Sequence, residues 1–296
     1  MLDVRRLRLL RDLARLGTIA AVAEALTYTP SAVSQQLAAL EREAGVPLLE
    51  RTGRRVALTA AGAVLVEHAE TVFAALERAD AALAAARTGL VGPLRIGAFP
   101  TAVRTLLPGA LVALGRDHPG LELRVRELDP ADAPDALRAG QLDVALVHDY
   151  DLVPIAPDPA LETLPLLDET LYLAVLEPRD LAGCREEPWI VGSPGTLCHT
   201  VALRSCEAAG FVPRVRHHAD DFVTVLALVA AGQGVALVPQ LAATDPPPGV
   251  VLVPLPSRRR TRLAYRRGAG RHPLVSACVA AIRSSVASPI AGPRPG

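Results

Sequence analysis

The chain has 296 residues, of which half are apolar and 21% are charged, enough for two or three domains with their own cores. No stretch approaches the ~20 uninterrupted apolar residues of a membrane-spanning helix, which excludes an integral helical membrane protein. The net charge is zero, but residues 1–60 carry nine Arg against six Asp and Glu, a net charge of +3 that the remainder offsets. That asymmetry alone does not identify a nucleic-acid-binding protein.

The N-terminus and the cysteines indicate where the protein works. In residues 1–17 arginines recur among the apolar positions and do not precede an apolar core with a cleavage site, so we expect a mature helix and a cytoplasmic protein. Cys184, Cys198, Cys206 and Cys278 lack a metal-ligand spacing such as CxxC. We therefore expect reduced thiols and no metal or other cofactor.

Three short helices are predicted at the start of the chain. Residues 4–16 place apolar side chains on one helical face, and Gly17 is expected to end that helix. Thr18 can cap a second helix, and Thr29 followed by Pro30 supplies an N-cap and a first-turn proline for a third.

A hairpin and a long helix are predicted next. The segment VPLLERTGRRVALT has two apolar runs around a TGRR turn, as expected for a small β-hairpin, or wing. From Thr59 to Arg87 an Ala-rich stretch without Pro follows, and its apolar positions alternate in steps of three and four. That spacing is typical of a coiled-coil seam and predicts a dimer; the alternative is a helix packed on its own domain. The seam positions are Gly62, Leu65, Ala69, Val72, Leu76, Ala79, Leu83 and Ala86.

The rest of the chain alternates between strands and helices. Strands are predicted at 94–98, 121–127, 142–147, 170–176, 189–191, 212–218 and 235–238, and helices at 101–115, 130–140, 197–210, 221–231 and 273–285. The segment 250–267 is expected to lead back to the first lobe. The alternation indicates parallel sheets covered by helices, in two similar lobes with a cleft between them.

Several motifs lie on these elements. TIAAVAEALTYTPSAVSQQLAALEREAGVPLLER covers the second and third helices and the start of the wing, RRVALTAAG begins the long helix, and FPT, EAAGFVPRV and DDFVTVLALVAAGQGVALVP occur in the α/β part. On these motifs the chain resembles the LysR-type transcriptional regulators over nearly its whole length. Thr18, Ile19, Tyr28 and Leu49 depart from the residues usual in that family.

The resemblance implies a mainly α winged helix-turn-helix DNA-binding domain plus a long linker helix, followed by a two-lobed α/β effector domain of the periplasmic-binding-protein-like fold. We expect the DNA-binding domain at 1–58, the linker and dimerisation helix at 59–87, a hinge at 88–93, the effector domain at 94–288 and a disordered tail at 289–296. Lobe 1 is expected at about 94–150 and 266–288, and lobe 2 at about 160–255.

The implied function is that of a bacterial transcription regulator with no catalytic step. Its expected partners are double-stranded DNA, a small-molecule effector and RNA polymerase, but no membrane. The expected assembly is a homodimer or homotetramer, which would place two DNA-binding units on a partly palindromic operator.

The third helix is the predicted DNA-contacting element. In a helix-turn-helix the second helix of the motif enters the major groove, where its N-terminal residues reach base edges. Gln can bond adenine bidentately and Ser can serve several bases. The predicted base contacts are Pro30, Ser31, Ser34 and Gln35, and the predicted phosphate contacts on the wing are Arg51, Arg54 and Arg55. The alternative for each is a solvated surface residue.

The predicted effector site lies between the lobes. Ligands of open α/β sheets lie beyond the carboxyl ends of strands, often against helix N-termini. The FPT and SPGT segments each follow a predicted strand, and the resemblance puts both at the cleft. The predicted effector-binding residues are Phe99, Thr101, His148, Ser193, Thr196, Asp221 and Phe222, with Asp149 and Asp220 nearby. We expect a ligand with an anionic group; the alternative is that Thr101 and Thr196 only cap their own helices. Asp220 and Asp221 would accept an amine if they face the cleft, although capping of the next helix explains one of them as well.

Three other functions were weighed. Some LysR-type proteins sense peroxide with a cysteine pair in the region of Cys198 and Cys206. Eight helical residues separate these Cα atoms by ~12 Å, whereas a disulfide needs ~5.5 to 6 Å, so buried inert thiols are the better interpretation. The lack of a GxSxG motif, a Gly-rich phosphate loop and a metal cluster opposes an enzyme. A missing signal peptide and the N-terminal motif oppose a solute-binding protein.

Overall fold

The structure is a computed structural model that describes residues 1–52, 55–87 and 89–286. The chain divides into two compact units, Met1–Glu77 and Arg78–Gly296. The predicted fold class is confirmed, because a helix-turn-helix precedes a long helix and an α/β domain. The exact domain boundaries stay predictions, and the predicted disordered tail lies outside the described residues.

Three helices open the N-terminal unit where the capping signals place them. They are α1 (Val4–Leu16), α2 (Ile19–Leu26) and α3 (Pro30–Ala44). The hydroxyl of Thr18 accepts a hydrogen bond from the backbone N–H of Ala21, and that of Thr29 accepts one from Ala32. At the other end of α1, Gly17 takes a left-handed φ of 75°, a conformation that costs glycine little.

The core of this unit confirms the predicted inward stripe of α3. Val33, Leu37 and Leu40 are at most 1% exposed, and they pack with Leu10 of α1 and Val22 of α2. The polar residues of α3 are thereby left on the opposite face.

The wing follows as a two-stranded hairpin. Strand β1 (Leu49–Thr52) pairs antiparallel with β2 (Arg55–Leu58), and Leu49 lies opposite Leu58. Gly53 and Arg54, the predicted turn, lie outside the described residues.

A single helix, α4 (Ala60–Ala85), confirms the predicted linker helix. Gly62 lies so close to the wing that an added Cβ would be 2.2 Å from the backbone oxygen of Leu48, which explains a glycine inside a helix. Further along, the predicted seam residues Val72, Leu76 and Leu83 are 38%, 49% and 71% exposed. Apolar side chains at this spacing on a free helix face are typical of a dimer seam.

The C-terminal unit is built on a six-stranded sheet in the order β4-β3-β5-β10-β6-β9. The strands are β3 (Gly92–Ala98), β4 (Leu121–Glu127), β5 (Val144–Tyr150), β6 (Leu161–Val175), β7 (Pro188–Val191), β8 (Arg214–His218), β9 (Ala236–Pro239) and β10 (Val251–Arg266). The helices are α5 (Pro100–Thr105), α6 (Leu107–Asp117), α7 (Ala133–Arg138), α8 (Leu197–Ala208), α9 (Phe222–Ala230) and α10 (Pro273–Val286).

The expectation of purely parallel sheets is wrong for the central strands. β3 is parallel to β4 and β5, and β7 is parallel to β8, as predicted. The two long strands β6 and β10 instead pair antiparallel, from Leu161 opposite Arg266 to Val175 opposite Val251. β6 and β10 are the two segments in which the chain crosses from one lobe to the other, and they cross in opposite directions.

Two other element predictions need correction. The single helix expected at 101–115 is two helices, α5 and α6, because Pro108 in the first turn of α6 cannot continue the preceding helix. β6 begins at Leu161 and not near residue 170. Among the described residues, no helix has both the length and the apolar character to cross a membrane.

Candidate functional site

The first turns of α3 present a free polar surface. Pro30, Ser31, Ser34 and Gln35 are all exposed, so the structure brings the four predicted base contacts together. The Ser34 hydroxyl donates to the Pro30 carbonyl at 2.9 Å, which leaves its oxygen able to accept from a base. The Gln35 side chain forms no hydrogen bond within the described part of the chain. Its amide therefore has both its donor and its acceptor available.

The neighbouring glutamine has a different environment. The Gln36 side-chain oxygen accepts a hydrogen bond from Arg6 Nε at 2.9 Å. Gln36 and Arg6 also line an open concave surface with Arg5, Arg8 and Tyr28. These arginines were not predicted as phosphate contacts, because their spacing in α1 is typical of the solvated face of an amphipathic helix.

The predicted phosphate contacts on the wing stay predictions. Arg51 belongs to β1 and Arg55 to β2, opposite Thr52. Arg54 lies outside the described residues.

A partly open cavity of about 210 Å³ lies between the two lobes of the C-terminal unit. Five of the predicted effector residues line it: Phe99, Thr101, His148, Thr196 and Phe222. We call it the inter-lobe cavity. Its other lining residues are Pro100, Glu127, Leu128, Asp129, Pro130, Cys198, Asp220 and Arg259.

Two predicted effector residues are not part of this lining. The Ser193 hydroxyl donates to Asp220 at 2.7 Å, and the Ser193 backbone N–H donates to the other oxygen of that carboxylate. Asp221 caps α9 by accepting from the Thr224 N–H, and it lies 3.7 Å from Arg104. Both side chains are thus occupied within the fold.

The two predicted threonines differ in what they can offer. The Thr196 hydroxyl donates to the Ser193 carbonyl at 2.8 Å and accepts from the His199 N–H, so it caps α8. Thr101 is 4% exposed, and its hydroxyl has no hydrogen-bond partner among the described residues. Thr101 is therefore the better candidate for a ligand contact.

His148 is the most perturbed polar group in the cavity. Its ring contacts Phe99 and Tyr150 edge-on, with centroids 4.7 and 5.2 Å away, and only 3% of the residue is exposed. Burial, and then the charge of Arg259, lowers the pKa of His148 well below its usual 6.5. The imidazole is therefore neutral at pH 7, and its Nδ1 has no hydrogen-bond partner.

Arg259, which lines the cavity, belongs to a buried ion pair. Arg259 and Glu169 are 1% and 0% exposed, and Arg259 Nε donates to Glu169 Oε2 at 2.7 Å. Arg259 Nη2 is equally close to that oxygen but at an angle that makes no hydrogen bond. The second carboxylate oxygen accepts from the Leu241 N–H. The pair was not predicted, because Arg259 is the middle residue of three consecutive arginines, a pattern typical of an exposed surface.

Asp149 lies on the other face of β5. It is 5% exposed and forms ion pairs with Arg260 and Arg262 at 3.0 and 3.3 Å. With Ile155 and Pro157 it lines a second cavity of about 390 Å³, which the sequence analysis did not predict.

The cysteine thiols are not activated. Cys198 Sγ lies in the inter-lobe cavity, 3.5 Å from the Tyr150 hydroxyl, and burial raises its pKa. Cys206 lies further along α8, and burial raises its pKa to about 12. A thiol is nucleophilic only as the thiolate, so both groups are poorly reactive at neutral pH. Within the described ranges, no group of three or more His, Cys, Asp or Glu could hold a metal ion.

Comparison with known proteins matches both parts of the chain to family models. Residues 4–63 match "Bacterial regulatory helix-turn-helix protein, lysR family", and residues 87–287 match "LysR substrate binding domain". A probable hydrogen peroxide-inducible genes activator of Mycobacterium avium is 34% identical over 84% of this chain and 83% of its own length. The dual regulator OxyR of Escherichia coli K12 is 32% identical over 90% of both chains.

Solved structures agree with this comparison. An OxyR C206 mutant of Corynebacterium glutamicum has a TM-score of 0.56 at 25% identity, covering 96% of this chain and 92% of its own. Full-length CbnR complexed with its target DNA has a TM-score of 0.52 at 25% identity, covering 96% of this chain and 99% of its own. These proteins are transcriptional regulators and not enzymes.

Proposed function

Since this chain belongs to the LysR family of bacterial transcriptional regulators, we propose that it controls transcription in response to a small molecule bound in the inter-lobe cavity. The observation that carries the proposal is that residues of both lobes, Thr101 and His148 on one side and Phe222 on the other, line one cavity. A ligand there would contact both lobes at once and could bias their relative setting.

On DNA, α3 lies in the major groove in this proposal. Gln35 and Ser34 contact base edges, while Arg5 and Arg8 of α1 join the wing arginines as phosphate contacts. The exposure of Arg5, Ser34 and Gln35, and the position of Arg8 on the same concave surface as Arg5, support this assignment. Guanidinium contacts with phosphates add a salt-dependent term that does not depend on sequence.

The regulator acts as a homodimer or homotetramer in the cytoplasm, and it changes the access of RNA polymerase to a promoter. The exposed seam residues Val72, Leu76 and Leu83 of α4 support dimerisation. A ligand can shift the DNA-bound assembly only if it binds two arrangements of the lobes with different affinities.

Thr101→Val tests the sensing site. The substitution removes one hydroxyl from the cavity and keeps the side-chain shape, so we expect ligand affinity to fall by about 0.5 to 1.5 kcal/mol. Genome-wide footprinting first identifies a promoter that the protein binds and a growth condition that changes its occupancy. The response is then measured with a reporter gene driven by that promoter. The dose for half-maximal response should rise in Thr101→Val.

Ile155→Ala in the second cavity is the matched control and should leave the dose unchanged. A normal response in Thr101→Val together with a lost response in Ile155→Ala would move the sensing site to the second cavity.

A second candidate function is peroxide sensing at Cys198. The name of the M. avium relative favours it, and Cys198 lies in the inter-lobe cavity. Hydrogen peroxide would transfer one oxygen atom to the Cys198 thiol, which gives a sulfenic acid and one water. Condensation of that sulfenic acid with the Cys206 thiol would form a disulfide and release a second water. The raised pKa of each thiol and the intervening turns of α8 oppose this route.

Cys198→Ser separates the two functions. In the ligand-sensing account the reporter keeps its response in this variant, and mass spectrometry finds Cys198 reduced after brief exposure of the wild-type protein to micromolar peroxide. Stoichiometric oxidation of Cys198, with loss of the response in Cys198→Ser, would establish peroxide sensing instead.

A further inference from the structure

The inter-lobe cavity carries an excess of negative charge. Three carboxylates line it, those of Glu127, Asp129 and Asp220, against one guanidinium, that of Arg259. Arg259 is already paired with Glu169, whose carboxylate accepts its Nε–H at 2.7 Å. The charge of Arg259 is therefore balanced by Glu169, and Arg259 does not balance the charges of the three lining carboxylates.

None of the three carboxylates is neutralised by another cation within the described ranges. Asp220 accepts hydrogen bonds only from the neutral N–H and hydroxyl of Ser193. Asp129 accepts one from the Ala131 N–H at 2.8 Å, and Glu127 has no side-chain partner among the described residues. The pKa of Asp129 is raised by burial and, less strongly, by the charges of Asp132 and Asp220. Asp129 is half-buried, while Glu127 and Asp220 are exposed at the mouth of the cavity. A ligand cation among these three carboxylates would be attracted by their combined negative charge.

A separate observation points to a ligand with a second polar group. His148 is 3% exposed and lines the cavity, yet its Nδ1 has no hydrogen-bond partner. Thr101, on the same wall, has a hydroxyl without a partner in the described part of the chain. Buried polar atoms are almost always hydrogen-bonded in native proteins, so the unpartnered Nδ1 of His148 indicates a polar occupant, which the Thr101 hydroxyl could also bond. Arg259 Nη2 also lines the cavity without a hydrogen-bond partner, and an uncharged acceptor on the ligand could accept from it.

We propose that the effector of the inter-lobe cavity is a small amine, whose ammonium group lies against Glu127 and Asp129 and whose second, uncharged polar group bonds His148 and Thr101. This inference rests on the proposed function, since it concerns the ligand of the same cavity. An anionic ligand, which the sequence analysis expected, would meet three carboxylates at close range and no free guanidinium. The cavity volume of about 210 Å³ limits the ligand to a size below that of a typical drug-like molecule.

Three four-carbon probes that share a terminal hydroxyl test the charge preference: 4-amino-1-butanol, 1,4-butanediol and 4-hydroxybutanoate. They differ only in whether the other end is a cation, neutral or an anion. Binding to the full-length protein is measured by ligand-observed NMR at low ionic strength. We expect the amine to bind about tenfold or more tightly than the anion, with the diol in between, and its affinity to fall as salt is added.

Charge-removing variants locate the amine. The double variant Glu127→Gln/Asp129→Asn should lose about tenfold or more in affinity for 4-amino-1-butanol and little for the diol. Glu122→Gln on the same strand is the control and should bind like wild type, because Glu122 is paired with Arg124 and lies outside the cavity lining. Equal or tighter binding of 4-hydroxybutanoate, no detectable binding of the amine, or an unchanged affinity in the double variant would overturn the proposal.

The test also separates this inference from the proposed function. If a cavity ligand of another charge changes promoter occupancy, the proposed function stands and the amine preference fails. If the amine binds as expected but neither it nor any other cavity ligand changes DNA binding, the charge preference stands and the proposed sensing role fails.

Discussion

Replacing Glu169 by Gln is expected to lower the free energy of unfolding of the C-terminal unit by about 3 to 5 kcal/mol, the largest effect that we predict for a single substitution. Gln keeps the side-chain shape and can still accept from the Leu241 N–H. It leaves the guanidinium of Arg259 buried at 1% exposure without a counter-charge. The measurement is urea unfolding followed by the fluorescence of Trp189, the single tryptophan, which is fully buried in this unit.

The double variant Glu169→Met/Arg259→Met separates a lost charge partner from a lost contact. Removing both charges together and keeping apolar volume is often neutral, so the double variant should be more stable than Glu169→Gln. A Glu169→Gln protein as stable as wild type would contradict the account, and so would a double variant less stable than the single one. The same experiment bears on function, because Arg259 lines the inter-lobe cavity.

Gln35→Ala is expected to cost about 1 to 3 kcal/mol of discrimination between the operator and a site altered at the contacted base. Affinity for unrelated DNA should change little, because Gln35 contributes no charge to phosphate binding. Competition gel shifts with the operator and single-base variants measure the difference. The neighbouring Gln36→Ala is the control, since the Gln36 oxygen is engaged by Arg6 at 2.9 Å. Equal discrimination in wild type and Gln35→Ala would remove Gln35 from the set of base contacts.

The helices of the N-terminal unit could be predicted from sequence because their signals are local. Thr18 and Thr29 lie immediately before their helices, and Gly17 immediately after one, so each boundary is determined within a few residues. The inward stripe of α3 follows from the helical period alone.

The antiparallel core of the C-terminal unit could not be predicted in this way. The first half of β6 contains Pro165, Asp168 and Glu169, which oppose a strand in any local analysis. It is a strand because it pairs with β10, about ninety residues later in the chain. This pairing forms because the chain passes between the two lobes twice. No short segment of the sequence indicates that.

Some residues of the candidate site could be predicted from local sequence, and others could not. Thr101 follows β3 and could be predicted from the position of ligands in open sheets. His148 was predicted just beyond a strand end but lies within β5, near its carboxyl end. The ion pair of Arg259 with Glu169 joins residues ninety positions apart, and Glu127 and Asp129 looked like ordinary surface carboxylates at the end of β4. The expectation of an anionic ligand therefore rested on hydroxyls and helix N-termini, and nothing in the sequence indicated that Glu127 and Asp129 join Asp220 at the cavity.

The central claim is that a dimer contacts DNA through two copies of α3, and selection of binding sites from random double-stranded DNA by the full-length protein tests it most directly. The account predicts an inverted repeat whose half-sites are separated by about one helical turn, 10 to 10.5 base pairs, or a multiple of it. It also predicts that Gln35→Ala loses preference at one position in each half-site symmetrically. Enrichment of a single asymmetric site, or an unchanged motif in Gln35→Ala, would contradict the claim.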